Sequence, residues 1–426
     1  VNRAVAMFVI LLASAPGARA DGSAAIFDDD APLKTYRLEV APADWEWLNA
    51  HALDEAWVPA CVVFEGQAFE GASVRFKGSY GSLYSCFDAT GKRTCPKLSL
   101  KVSFNETDKD GRFHGLRKLV FNANNRDPSA LHERMAYALF RAAGLPAPRA
   151  VHALVQVNDE PAGLFLLVEN LDKEFLQDHF AEAGGNLYKE AWPYWPDPTS
   201  YLAALETNEA EADVSRLVDF AAALQTVEPD TFNAVVDPWI DRAAMTRYLA
   251  VDLFVNDWDG IAKFYCGLDA PDRTQCGNHN FYLYDDPLTG RFVVLPWDQD
   301  QSLYEPNTDL GRSWWDADPE ACKPDPAGGW FSVLAPQCDP LLRGLLLENW
   351  PAYQAELAAA GAEGGYLSLA AVQARLDRYR AQILQAVEAD PNGPTPAEWR
   401  RAASRLREVL AAQAAEVQAV VGWAPP

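Results

Sequence analysis

The chain has 426 residues, of which 49% are hydrophobic and 23% charged, a composition that excludes wholesale disorder. Its formal net charge is −24, so a basic face for nucleic acid is excluded, and any polyphosphate ligand would need local cations or a metal ion. Beyond the first twenty residues no apolar run reaches the length of a membrane span.

Residues 1–20 combine Arg3, an apolar run over 4–13 and the small-x-small site Ala18-Arg19-Ala20. That pattern predicts an export signal, and hence a secreted, periplasmic or cell-surface protein. Residues 34–76 predict strands with one helical insert at DWEWLNAHA, and PKLSLKVSF (96–104) alternates as a strand. Leu119–Asn122 is a further short strand. Asp127-Pro128-Ser129 then predicts a helix to about Ala143, ended by Gly144. Leu131, Met135, Ala138 and Leu139 form one stripe of that helix, and Glu133, Tyr137 and Phe140 another. A helix packed on two faces puts Glu133 against protein rather than water.

Residues 150–157 and 163–169 predict a hairpin across Asn158–Pro161. Helices follow over 200–225 and 239–256. NFYLYDD and RFVVLPW flank Pro287–Gly290 as a second hairpin. Residues 305–340 predict an ordered loop, and 341–422 are helical apart from a break at Asp390–Pro394. Strands followed by helices make this an α+β chain.

Six of the seven cysteines form three local pairs. In an oxidising compartment these predict disulfides 86–95, 266–276 and 322–338, with Cys61 a buried free thiol.

There is no Walker-type phosphate loop, no GxGxxG opening a helix, no HExxH and no GxSxG elbow. What remains is NDWDG (256–260), HNFYLY (279–284) and LPWDQD (295–300). A hairpin closed through 287–290 places Asn280 near Pro296 and Asn278 near Asp298. Asp298 and Asp300, with Asn280 beside them, suit a hard cation such as Mg2+, which takes one or two carboxylates and fills its shell with water and phosphate oxygens. The alternative reading of these aspartates is that they cap turns or pair with Arg. An Asp (Asp259), a hairpin and a second Asp (Asp298) also follow the order found in protein kinases. Lys97 or Lys101 on the 96–104 strand would be the phosphate lysine, Glu133 its helix partner, and the hairpin ending at Glu169 the connection between lobes.

The segments VRFKGS (74–79), PKLSLKVSF, LVFNANNRDPSALHERMAYALFRAAG (119–144), NDEPAGLFLLVEN (158–170), GNLYKE (185–190), VNDWDG, NFYLY and PWDQD occur in one order over about 50–345. Together they resemble the spore-coat CotH kinase family, an atypical branch of the protein-kinase-like fold. The resemblance implies a two-lobed kinase domain over 21–345, with an N-lobe of about 34–165 and a C-lobe of about 166–345, followed by a helical extension over 346–426. It implies ATP and Mg2+ as cofactors and Ser or Thr of a protein as acceptor. Lys97 and Lys101 carry over as phosphate-lysine candidates, Glu133 as the helix Glu, Asp259 as base and Asp298 as metal ligand. Asn280 and Asp300 carry over as supporting ligands. Arg75 and Lys77 match the basic strand before the nucleotide loop, Gly78 the loop itself, and Glu169 the nucleotide side of the lobe connection. The chain departs from the family in its lengthened, cysteine-bearing loops and its export signal. These leave a second reading, a catalytically inactive surface-binding module on the same fold, and a third, a transferase using another phosphorylated donor.

Overall fold

The computed structural model describes residues 22–79, 82–270, 273–315, 322–327 and 330–425. The export segment expected over 1–20 lies outside them.

Seven strands close into a barrel. They are β1 (Lys34–Glu39), β2 (Val58–Phe64), β3 (Gln67–Phe76), β4 (Leu100–Ser103), β5 (Lys118–Asn122), β6 (Ala150–Val157) and β7 (Glu160–Val168), in the order β1-β2-β3-β4-β5-β7-β6. The parallel pairing of β1 with β6 closes it. Alternation decides which side chains turn inward: Leu38, Val62, Val74, Val102, Leu119, Phe121 and Leu167 fill the interior, with Tyr36 stacked on Phe64. The opposite residues of β4 and β5, Lys101, Val120 and Asn122, therefore point out of the barrel. β7 belongs wholly to the barrel.

The second body has its own core. Met135, Leu139 and Phe140 of the Glu133 helix (His132–Ala142) pack there with Tyr248 and Leu249 of helix Arg242–Val255. Leu376, Leu406 and Leu410 come from two C-terminal helices, Leu369–Ala389 and Pro396–Val421. These two helices thus share that core. A three-stranded sheet, β8 (Leu187–Lys189), β11 (Phe281–Asp286) and β12 (Arg291–Pro296), lies beside this core. A four-stranded sheet joins β9 (Phe264–Cys266) and β10 (Cys276–Gly277) to β13 (Asp325–Ala327) and β14 (Phe331–Leu334). Part of the expected 305–340 loop is therefore strand. The three expected disulfides are present, two of them bracing this sheet, and Cys61 is buried and free. Among the described residues no helix is long and apolar enough to cross a membrane.

Three local expectations shift. The 96–104 strand shortens to Leu100–Ser103, because Lys97 and Asn125 tie its first residues elsewhere. The Glu133 helix begins at His132, since Asp127 accepts from the backbone of Ser129, Leu131 and His132 and so caps a turn ahead of the helix. In the second hairpin Phe281, not Asn280, faces Pro296. Gly290, at φ 65°, bonds back to Asp286 and closes the expected 287–290 loop, so Asp286 pairs with Arg291 and the ladder counted from there meets at Phe281 and Pro296.

Candidate active site

The cleft between the lobes is lined on the barrel side by Lys77 and Asn122, on the helix side by Glu133, and on the C-lobe side by Asp298 and Asp300. β3 ends at Phe76, and the Lys77 backbone still pairs with Ser99 O, so its side chain leaves the strand end toward the cleft. Lys77 Nζ donates to Asn122 Oδ1 at 2.8 Å, and Asn122 Nδ2 donates to both Glu133 oxygens at 3.0 and 2.8 Å. Lysine and glutamate are thus joined through an amide relay rather than a direct pair. Gly78 follows at φ 131°, where a Cβ would lie 2.3 Å from Ser82 Oγ, so the loop needs glycine there.

Asp298 stands just past β12 in the left-handed region, φ 47°, at the entry to the short turn 299–301. That backbone turns both Asp298 and Asp300 toward Glu133. Burial, then Asp298 and Asp300, push the Glu133 carboxyl up to about 8 against the opposing pull of Asn122 and Lys77. Burial and then Asp298 push Asp300 up to about 7. On the other side of Asp298 lies Asp259, in the turn after helix Arg242–Val255. Its Oδ2 accepts from Asn280 Nδ2 at 3.0 Å, and its pKa is raised, by burial first, with Asp298 and Glu190 adding to the rise. The turn is held from beneath by buried Asp257, which accepts from Asp259 N and from Gln299 Nε2.

Other expected residues lie elsewhere. Lys97 Nζ meets Asp390 Oδ2 at 2.9 Å and also donates to Leu164 O, so this lysine pins the barrel to the break between the C-terminal helices rather than meeting Glu133. Lys101 points out of β4 but does not line the cleft, and burial, then Lys118, Lys77 and Arg75, lower its pKa to about 7. Arg75 pairs with Glu55 and lies over the Trp57 ring. Glu169 is buried in ion pairs with Arg149 and His179. The residues that local pattern did not single out are Asn122 and the turn after it. Their only signal was FNANNR inside a longer matched segment.

Among the described residues no three His, Cys, Asp or Glu side chains form a ready-made metal site. The donor set still fits Mg2+, which needs only one or two carboxylates: Asp298 and Asp300 repel each other, and a cation between them would relieve that repulsion. The enclosed free space is about 30 Å3, room for a water or two and hence for an ion.

Residues 74–417 match the family described as CotH kinase protein. Inner spore coat protein H of Bacillus subtilis (strain 168) is 24% identical over 284 residues, which is 63% of this chain and 68% of that protein. An inner spore coat protein H-like protein of the same organism is 39% identical over 217 residues, half of this chain and 59% of that relative's length. A solved proinflammatory kinase of Helicobacter pylori, CtkA, aligns with 83% of this chain and 96% of its own at 11% identity and a TM-score of 0.29, too low a score to bear on the fold.

Proposed function

Because the chain belongs to the CotH kinase protein family, we propose that it transfers the terminal phosphoryl group of Mg2+-bound ATP to Ser or Thr hydroxyls of proteins outside the cytoplasm. The observation that carries the reading is the convergence on one cleft of the Lys77–Asn122–Glu133 relay and the Asp298–Asp300 pair, with Asp259 beside it. Phosphoryl transfer asks chiefly for charge neutralisation and in-line positioning, and this set supplies both.

Asp298 and Asp300 would hold Mg2+, which would supply positive charge to neutralise the donor phosphate. Lys77 takes a phosphate oxygen, kept in place by Asn122 and Glu133. Asp259, fixed by Asn280, orients the acceptor hydroxyl. The acceptor oxygen bonds to the terminal phosphorus as the bond to the bridging oxygen breaks. The hydroxyl proton passes to Asp259 and ADP leaves. A base with a raised pKa suits that proton transfer. Export is supported by three disulfides and by the pattern of residues 1–20. The test is transfer of label from γ-labelled ATP to serine-bearing protein with Mg2+. Asp259→Asn should cut turnover by ~10²–10⁴ with nucleotide binding retained. Equal turnover in the variant and wild type would remove Asp259 from the reaction.

A further inference from the structure

The turn that follows β5, residues 123–126, brings more to the cleft than the Asn122 relay. Asn124, Asn125 and Arg126 all line it. Asn124 sits in the left-handed region at φ 54°, where asparagine is tolerated, and its buried Nδ2 has no partner. A buried donor left unpaired costs stability, so an oxygen acceptor supplied by a ligand would relieve that cost. Arg126 is exposed at the rim. Among the described residues its guanidinium has no hydrogen-bond or ion-pair partner, while its backbone carbonyl accepts from Tyr304 Oη at 2.9 Å. Asn125 Nδ2 donates to Lys97 O at 2.7 Å, and Asn124 O accepts from Asp127 N. The turn is therefore held rigid while two of its donors stay free.

The cations of the cleft sit at different depths. Lys77 is engaged inside by Asn122 and acts on Glu133, whereas Arg126 stands at the mouth. Both act on Asp300, so both face the carboxylate pair that suits a cation. An acceptor hydroxyl has to arrive from solvent, so the phosphate nearest the mouth is the one to be transferred.

We propose that this turn is the arm that grips the terminal phosphate of the donor, Asn124 through its amide and Arg126 through its guanidinium, and so makes the site select a nucleoside triphosphate over the diphosphate. This rests on the kinase reading above. An arginine suits the task because its planar fork offers paired donors to phosphate oxygens.

The test is calorimetric titration of the full chain with ATP and with ADP, each with Mg2+. Wild type should bind ATP more tightly than ADP. Arg126→Ala, an exposed position with no side-chain partner to lose, should weaken ATP by roughly ten- to a hundredfold and leave ADP within about twofold. Lys77→Ala should weaken both. Arg126→Ala that weakens both nucleotides alike, or neither, overturns the proposal while leaving the kinase reading standing. Wild type that binds neither nucleotide overturns the kinase reading itself, and the arm with it.

Discussion

Replacing Glu133 by glutamine should stabilise the metal-free protein at alkaline pH and hardly at all in acid. The carboxyl is buried among acidic neighbours, and its pKa rises from the usual 4.5 to about 8. The folded state therefore holds this proton more tightly than the unfolded chain does. Its stabilising effect is complete below the unfolded value and is lost as pH climbs from there to about 8. At 1.36 kcal/mol per pKa unit, wild type gives up less than ~1 kcal/mol by pH 5 and ~4 kcal/mol by pH 8. Glutamine cannot ionise, and its amide oxygen still accepts from Asn122. Asp300 titrates in both proteins and largely cancels in the comparison. Urea unfolding in EDTA at pH 5, 6, 7 and 8 measures this. The stability of Glu133→Gln relative to wild type should grow by about 3 kcal/mol across the range, and Mg2+ should shrink that gap. Parallel stability curves for the two proteins would refute the electrostatic account of the cleft.

Lys97→Met should cost about 3–5 kcal/mol, because it leaves the buried Asp390 carboxylate without its cation. Urea unfolding reads the loss, and a change below about 1 kcal/mol would show that the barrel is not pinned there. Replacing Cys266 and Cys276 together by serine should cost about 3 kcal/mol, from a closed loop of roughly ten residues. Differential scanning calorimetry with and without reductant checks this, and an unchanged melting temperature would contradict it.

Where local chemistry decided the structure, the sequence was legible. Apolar runs marked the strands β1 and β6, close spacing paired the cysteines, and two stripes of the helix placed Glu133 in the interior. The 287–290 turn was legible in the sequence, and the pairing of Asp286 with Arg291 across it brings Phe281, one residue past Asn280, opposite Pro296. The cleft lysine was harder to pick. Lys97 and Lys101 stood on an alternating segment and looked alike, yet the partner of Lys97 is Asp390, 293 residues away, with no local signal. Lys77 was legible as part of a basic strand but not as the cleft lysine, because the relay through Asn122 exists only once β3 and β5 flank β4. The sheet β9–β10–β13–β14 escaped notice because strands of two to four residues are too short to show a period.

The central claim is that Asp298 holds the cation that brings the donor into the cleft. Thermal unfolding with saturating ATP, with and without Mg2+, tests it most directly. At about 100 times the dissociation constant a ligand stabilises by ~2.7 kcal/mol, an easily resolved shift. Wild type should gain that stability only when Mg2+ is present, and Asp298→Ala should gain none. Mg2+-dependent stabilisation of Asp298→Ala equal to that of wild type would contradict the account.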